Sequence, residues 1–417
     1  MRIKLFLSSC ILSFGMMSYA QDDTSISIHQ NKNIQTNNFN TLNQFTISGY
    51  FQAQYQFGEE MAILKVGYPN TNLNHSFNRI GIRRGRVKLE FQHGIANSVF
   101  QVDITEKGIA VKDVYLHIKT SWLGSSSFKV GIFNRPYGYE VSYSSAKRES
   151  PERATVITTL FPEERDLGIM LTLQAPPTSK WNFLKLETAL LSGNGIKLDM
   201  DNRKDLTVHL SANKNFQNKD KVSGGISYYS GSVFQGSSNV YKMSNDFFSL
   251  NHDTLNIGKY TKRKYFGTDA QFLVNSILGV SQLYGEYIIG VQPGTKENSL
   301  SPNYNTKPNY DTYIRNFRGA YITFVQDLKK NPFSIIIKYD FYDPNINISK
   351  NEIGTNGSSK GDIAFYSIGS GILWKINNNF RMTGYYDWIR NETSINLKGF
   401  EKDIHDNIFT FRIQYKF

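Results

Sequence analysis

The sequence predicts an all-β fold, a transmembrane antiparallel β-barrel of about 16 strands with an inward-folded constriction loop. From Thr46 onward, apolar and polar side chains alternate in segments of roughly ten residues, the period of strands. After the first residues, no apolar stretch approaches the roughly eighteen residues that a membrane helix needs. The mean hydropathy is polar although the chain has 25 Tyr and 29 Phe, as expected when polar lumen faces and apolar lipid faces cancel. A large soluble β-sandwich or solenoid is the alternative, but no fixed-period repeat supports a solenoid.

The first twenty residues, 1–20, have the pattern of a secretory signal peptide. Arg2 and Lys4 supply the positive start, an apolar run follows, and Ser18-Tyr19-Ala20 forms a small-residue cleavage site. An uncleaved membrane anchor is the alternative, but the apolar run is too short to span a bilayer. We therefore expect the mature chain to leave the cytoplasm.

The mature chain divides into a leader and a barrel domain. Residues 21–45 are rich in Asn, Gln, Thr and Ser without periodicity, which predicts a flexible periplasmic leader. Residues 46–417 then form the predicted barrel. Cys10, the only cysteine, lies in the signal, which excludes disulfides and cysteine-based metal sites from the exported protein. Loss of Arg2 and Lys4 lowers the formal net charge from +12 to +10, and export argues against nucleic acid as the partner of this basic chain.

The first predicted strand shows the alternation that recurs along the chain. In residues 46–56, Phe51 and Tyr55 share one face, and Gln52 and Gln54 lie on the other. The polar face is too polar for a sandwich core, so it predicts a water-filled interior. The predicted strands cover residues 46–56, 82–92, 98–105, 111–119, 127–133, 166–174, 182–191, 205–214, 221–230, 264–275, 279–290, 316–327, 333–343, 362–374, 379–391 and 406–417.

The connections between these strands alternate in length. If the first strand runs outward, the outer connections are long and the periplasmic ones are brief, as in bacterial outer-membrane barrels. Only the outer connection 106–110 is short. The last strand ends on Phe417 with aromatic side chains on one face, which resembles the C-terminal signature read by the barrel-insertion machinery.

A row of basic residues lies on the second predicted strand. Period-two geometry places Arg84, Arg86 and Lys88 on one face, about 7 Å apart. Cations are unfavourable in lipid, so they are expected to face the lumen, where they would favour anions. The alternative is that they only pair with lumenal carboxylates.

The connection 134–165 is a charged, irregular stretch of about thirty residues between two predicted strands, and loops of this length are usually functional. Pro136 and Gly138 predict a fixed turn at its start. Folded inward, the segment would constrict the lumen; folded outward, it would be a solvated surface loop. The predicted constriction-loop residues are Pro136, Gly138, Glu140, Lys147, Arg148 and Glu152.

Several motifs, in order and spacing, resemble the phosphate-selective porin O/P family. They are Ile82 to Arg86, Gly131 to Glu140, Glu152-Arg153 and Arg165 to Gly168. The resemblance covers most of the mature chain. It implies a sixteen-stranded trimeric outer-membrane channel with lumenal basic residues that guide anions, but Tyr137 departs from the usual Phe. On this basis the pore-lining or anion-binding residues would be Arg84, Arg86, Lys88, Arg135, Arg153 and Arg165.

The function expected from these patterns is passive diffusion of small, preferably anionic, solutes through the outer membrane, without cofactor or metal. Expected partners are small anionic solutes, outer-membrane lipid and lipopolysaccharide, and the barrel-assembly machinery through Phe417. A non-selective porin and a surface or adhesin barrel are alternatives. An outer-membrane hydrolase is a weaker alternative, since the seven histidines are scattered and neither H-E-x-x-H nor G-x-S-x-G occurs.

Overall fold

The computed structural model of the chain describes residues 44–120 and 124–417. The predicted signal peptide, 1–20, lies outside the described residues, and so does the predicted leader, 21–45, up to residue 43. Gln44 and Phe45 already belong to the first strand.

The described residues form eighteen strands and one short α-helix. Three single turns of 3₁₀ helix lie in outer connections, at Thr254–Asn256, Lys350–Glu352 and Lys360–Asp362. The elements are β1 Gln44–Gly58, β2 Phe77–His93, β3 Ala96–Thr105, β4 Gly108–Lys119, β5 Ser127–Asn134, α1 Thr155–Leu160, β6 Arg165–Gln174, β7 Leu184–Leu191, β8 Asp205–Asn215, β9 Lys221–Phe234, β10 Asn239–Ser244, β11 Phe247–His252, β12 Tyr260–Ser276, β13 Gly279–Gly294, β14 Thr312–Asp327, β15 Phe333–Asp343, β16 Phe365–Lys375, β17 Phe380–Asn391 and β18 Ile408–Lys416.

Sixteen of these strands form a closed antiparallel barrel. Each of β1 to β9 pairs with the next, β9 pairs with β12, and the series continues from β12 to β18. Strand β18 then pairs with β1, where Tyr50 lies opposite Lys416 and Gly58 lies opposite Ile408, which closes the ring. The sixteen predicted strands are confirmed. Their ends differ by at most five residues, the largest shift being the start of β2 at Phe77 instead of Ile82.

Strands β10 and β11 were not predicted from the sequence. They form a hairpin in the outer connection between β9 and β12, and Val240 of β10 pairs in parallel with Thr312 of β14. Adjacent apolar residues interrupt the alternation in each strand, at Val240-Tyr241 and at Phe247-Phe248. The hairpin therefore lies beside the outer end of β14 and adds no strand to the ring, in which β9 pairs directly with β12.

The distribution of side chains across the wall is the reverse of that in a soluble protein. On β1, Gln52 and Gln54 point inward and are 0% and 1% exposed, whereas Phe51 and Tyr55 point outward and are 41% and 37% exposed. The same pattern of exposed apolar and buried polar residues recurs on the other wall strands. An outward apolar face around a polar interior is stable only when hydrocarbon surrounds the wall, so the barrel spans a membrane. Among the described residues, no helix combines the length and the apolar character needed to cross a bilayer.

A β-bulge interrupts the alternation on β2. Gln52 of β1 lies opposite Arg84, but the next residue, Ala53, lies opposite Ile82. Arg83 is therefore an extra residue on β2. The bulge allows both Arg83 and Arg84 to reach the interior, which strict alternation forbids.

Candidate pore and constriction site

Residues 135–164 between β5 and β6, here called the crossing segment, extend through the interior of the barrel. The Gln52 amide of β1 donates a hydrogen bond to the Ser145 carbonyl at 3.0 Å. The Gly138 N–H donates to the Ser227 hydroxyl of β9 at 2.9 Å. Strands β1 and β9 are the first and ninth strands of a ring of sixteen, so they lie on opposite sides. The crossing segment therefore contacts opposite walls from within.

The start of the crossing segment is fixed by its backbone. Gly138 has φ +54°, and a Cβ atom there would come within 1.9 Å of a Glu286 carboxylate oxygen. Only glycine fits at this position without displacing the carboxylate. The Pro136 carbonyl accepts a hydrogen bond from Thr207 at 3.0 Å, and the Glu140 N–H donates to Glu286.

One side of the crossing segment is apolar and packs on the wall. The Phe161 ring lies 4.7 Å from that of Tyr137, 5.9 Å from that of Tyr229 on β9 and 5.8 Å from that of Tyr265 on β12. Helix α1 contributes Ile157 and other buried residues to the same cluster. Asp340 of β15 accepts hydrogen bonds from the Thr155 N–H and hydroxyl at 2.7 and 2.9 Å, which holds the start of the helix. These contacts fill the interior beside β9 and β12 to β15.

The opposite side of the crossing segment carries Glu152, which three guanidinium groups surround. Arg83 binds it with both nitrogens of its fork, Nε to Oε1 and Nη2 to Oε2, each at 2.8 Å. Arg412 of β18 donates to Oε1 at 2.8 Å, and an Arg84 nitrogen lies 3.6 Å from Oε2. The cluster thus holds three positive charges and one negative charge.

Solvent reaches this arginine cluster. The Arg83 and Glu152 side chains are 24% and 21% exposed, although both point into the barrel. Burial raises the pKa of Glu152, but the charges of Arg83 and Arg84 outweigh it and hold the pKa well below its usual range. The surrounding guanidinium charges therefore favour the ionised form of Glu152.

A second charged group lies nearby, around Glu164 at the end of the crossing segment. Arg153 binds Glu164, and its remaining nitrogens donate to the carbonyls of Glu140 and Tyr143 at 2.8 and 2.9 Å. Arg165 of β6 lies 3.0 Å from the other Glu164 oxygen and pairs with Asp113 of β4 at 2.9 Å. The predicted residues Arg153 and Arg165 are thus brought together by a shared carboxylate.

The basic row predicted on β2 lies on the inward face, and each member has a partner. Arg84 contacts Glu152, Arg86 pairs with Asp103 at 3.4 Å, and Lys88 pairs with Glu90 at 2.9 Å. The row therefore contributes to a network of both signs, and only its outermost member belongs to the arginine cluster.

Arg135, Lys147 and Arg148 have different surroundings. Arg135 is 1% exposed and pairs with Asp166 at 3.0 Å, beside the ring of Phe161. The Arg148 side chain turns back onto the carbonyls of Ser150 and Pro151. The backbone carbonyls of Lys147 and Arg148 accept hydrogen bonds from Arg381 of β17 at 3.1 and 2.9 Å. The Arg135 side chain and the carbonyl groups of Lys147 and Arg148 thus attach the crossing segment to the wall, whereas the Arg148 side chain contacts the segment itself.

Sequence reasoning missed three of the arginines that hold the crossing segment. Strict alternation places Arg83 on the lipid face, because it does not allow for the bulge. An arginine on that face is unfavourable, and this is the sequence signal that could have indicated a bulge. Arg412 and Arg381 have inward parity in their strands, but alternation alone does not bring them to Glu152 or to the carbonyl groups of Lys147 and Arg148. Within residues 44–120 and 124–417, no group of three or more His, Cys, Asp and Glu side chains could hold a metal ion.

Comparisons with known proteins show the fold. No protein-family model matches the chain, and no curated protein matches it either. The high-pH structure of Pseudomonas putida OprB has a TM-score of 0.57 at 9% identity, over 89% of this chain and 94% of that one. The anion-selective porin from Comamonas acidovorans gives 0.54 at 9% identity, over 90% and 100%. A loop-deletion mutant of OmpT, an outer membrane protein of Vibrio cholerae, gives 0.55 at 11% identity, over 90% and 99%.

These similarities extend over nearly the whole barrel. Together with the closed ring and the apolar outward face, they show an outer-membrane β-barrel with the architecture of porins.

Proposed function

We propose that this chain is an outer-membrane porin through which small solutes diffuse passively, with a preference for anions and without covalent chemistry. The observation that carries the proposal is the arginine cluster of Arg83, Arg84 and Arg412 on the solvated side of the crossing segment. Three guanidinium groups share one carboxylate, so the lumen beside the crossing segment keeps a positive excess. A cationic constriction lowers the barrier for anions and raises it for cations.

The proposal is tested by the conductance of the purified protein in planar bilayers, with the reversal potential measured across a potassium chloride gradient. We expect ohmic channels whose reversal potential has the sign of chloride preference. Channels that prefer potassium, or a correctly folded protein that does not conduct, would contradict the proposal.

Neutral substitutions locate the source of the preference. Replacing Arg84, Arg86 and Lys88 together with Gln should reduce chloride preference, because it removes three lumenal cations. Lys185→Gln is the matched control, since Lys185 is a half-buried cation on β7, paired with Glu187 and far from the cluster. Because the control removes one charge, it is compared with Arg84→Gln alone. Equal effects of Arg84→Gln and Lys185→Gln would mean that position in the lumen is unimportant.

The resemblance also implies a narrower identity, a phosphate-selective porin of the O/P family, which is a separate candidate for the class of solute. It is supported by the order of the motifs Ile82 to Arg86, Gly131 to Glu140, Glu152-Arg153 and Arg165 to Gly168. In this view Arg86, Lys88, Arg153 and Arg165 line the approach to the cluster, and Arg135 holds the crossing segment in place. Competition of inorganic phosphate with chloride current tests this identity.

The assembly partners also belong to the proposal. Phe417 is 50% exposed, and its backbone exchanges two hydrogen bonds of 3.0 Å with Gly49 of β1. Its ring is thus presented outward at the seam that closes the barrel, where the insertion machinery could read it. We propose a homotrimer in contact with lipopolysaccharide. Crosslinking in native membranes tests the trimer, and deletion of Phe417 should lower the yield of inserted barrel.

A further inference from the structure

Glu152 is the only carboxylate bound to Arg83, Arg84 and Arg412 among the contacts of the described residues. Its two oxygens are both used, one by Arg83 and Arg412, the other by Arg83 and, at longer range, by Arg84. A planar guanidinium fork matches the two oxygens of a carboxylate. The cluster therefore has the form of a carboxylate-binding site whose occupant comes from the chain itself.

We propose that permeating solutes are small carboxylates, and that they pass by displacing the tethered carboxylate of Glu152 from Arg83, Arg84 and Arg412. This inference rests on the proposed porin function, and it names carboxylates, in place of phosphate, as the class of solute. Glu152 is then a specificity-determining residue, because every solute that binds the cluster competes with it.

The backbone around Glu152 is fixed, so the exchange needs only a rotation of the side chain. The Glu152 carbonyl accepts hydrogen bonds from the Lys338 ammonium at 3.3 Å and the Ser150 hydroxyl at 3.1 Å. Arg412 also donates to the neighbouring Pro151 carbonyl at 2.7 Å. Its Nε donates to the Gln54 carboxamide oxygen at 2.7 Å. The arginine thus keeps its position when Glu152 leaves.

One donor beside the cluster lacks an acceptor among the described residues. It is the amide nitrogen of Gln54, whose carboxamide oxygen accepts from Arg412. A buried donor of this kind is stabilised when an acceptor arrives. With three guanidinium groups and one carboxylate, the cluster also keeps enough charge to attract a dianion while Glu152 is still bound.

The experiment measures how succinate blocks chloride current through the reconstituted mature protein. Glu152→Gln keeps the size of the side chain and removes the competing charge, so the half-blocking concentration of succinate should fall by about tenfold. Glu187→Gln is the matched control: Glu187 is a lumenal carboxylate of similar exposure, paired with Lys185 on β7. For this variant we expect a change of less than about twofold.

Two substitutions of Arg83 separate carboxylate recognition from charge. Arg83→Gln should raise the half-blocking concentration by about tenfold. Arg83→Lys keeps the charge but loses the two-nitrogen fork, so chloride preference should persist while succinate block weakens.

A comparison with phosphate tests the class of solute. At about pH 8, where succinate and inorganic phosphate are both dianions, succinate should block the chloride current at a lower concentration than phosphate.

The inference is overturned if Glu152→Gln and Glu187→Gln change succinate block equally, or if phosphate blocks at a lower concentration than succinate. It is also overturned if Arg83→Lys behaves as the unsubstituted protein. These results are distinct from failure of the porin function itself, which would appear as absent or cation-selective conductance before any probe is added.

Discussion

Gly138 determines the direction in which the crossing segment leaves β5. Its φ of +54° lies in the left-handed region, and its missing Cβ leaves room for the Glu286 carboxylate that accepts the Glu140 N–H. A single residue thus combines a turn and a close approach, which are the two conditions that require glycine.

Gly138→Ala should therefore destabilise the turn at the start of the crossing segment by roughly 2 kcal/mol or more, because of backbone strain and the close contact with Glu286. Gly94→Ala is the control, because Gly94 has φ +56° and nothing within 4 Å of an added Cβ. The measurement compares thermal unfolding and single-channel current noise of the two variants. If Gly94→Ala is as disruptive as Gly138→Ala, the contact with Glu286 is unimportant.

Asp406, in the outer connection before β18, is a carboxyl group whose contribution to stability depends on pH. Burial and the neighbouring carboxylates Asp403 and Glu59 raise its pKa to about 7, although Arg390 partly opposes them. An unfolded aspartate titrates near pH 4. Between about pH 4 and about pH 7, therefore, the folded chain holds a proton on Asp406 that the unfolded chain releases. The contribution of this carboxyl group to stability is present at low pH and is lost as the pH rises through about 7.

We expect the amides around Asp406 to exchange faster with solvent at pH 8 than at pH 6, after correction for the intrinsic pH dependence of exchange. Asp406→Asn should remove this difference, because the amide does not titrate. Hydrogen exchange followed by mass spectrometry measures both. A difference that persists in Asp406→Asn would assign the effect to another group.

At the scale of elements, the crossing segment combines two kinds of attachment. Its helix α1 and Phe161 are held by apolar packing against wall tyrosines, whereas Glu152 and Glu164 are held by arginines. The apolar attachment fixes where the segment lies, and the charged attachment determines what it presents to the lumen. The wall strands pair with one another around the ring, without the crossing segment as an intervening strand.

Phe161→Ala should loosen the crossing segment while the barrel stays intact. Removing a fully buried phenylalanine costs about 3–5 kcal/mol of local packing. We expect larger and noisier channels, with unchanged resistance of the folded barrel to detergent. Leu198→Ala is the control, since Leu198 is 81% exposed in an outer connection. Loss of the folded barrel in Phe161→Ala would show that the wall depends on the segment.

At the scale of the whole molecule, the opposed faces of each strand determine stability. Leu210 of β8 points outward and is 39% exposed, and its neighbour Ser211 points into the lumen. Leu210→Arg should destabilise the inserted barrel by about 2–4 kcal/mol, the cost of a cation at mid-membrane depth. Ser211→Arg should be tolerated and should increase chloride preference. Folding yield into vesicles and reversal potential measure the pair, and equal tolerance of both variants would contradict the assignment of faces.

The sequence by itself determined the barrel wall. Alternation of side chains is a local property, so residues such as Gln52 and Phe51 identify their faces without knowledge of any other strand. The sixteen wall strands and the inward face of Arg84, Arg86 and Lys88 could therefore be predicted.

The tertiary structure decided the arginine cluster and the path of the crossing segment. Arg83 enters the interior through a bulge that depends on its pairing with β1. Glu152 meets Arg412 only because the ring closes between β18 and β1, which joins residues 260 positions apart. Such contacts are set by the closure of the barrel and the packing within it, and no local pattern in the chain encodes them.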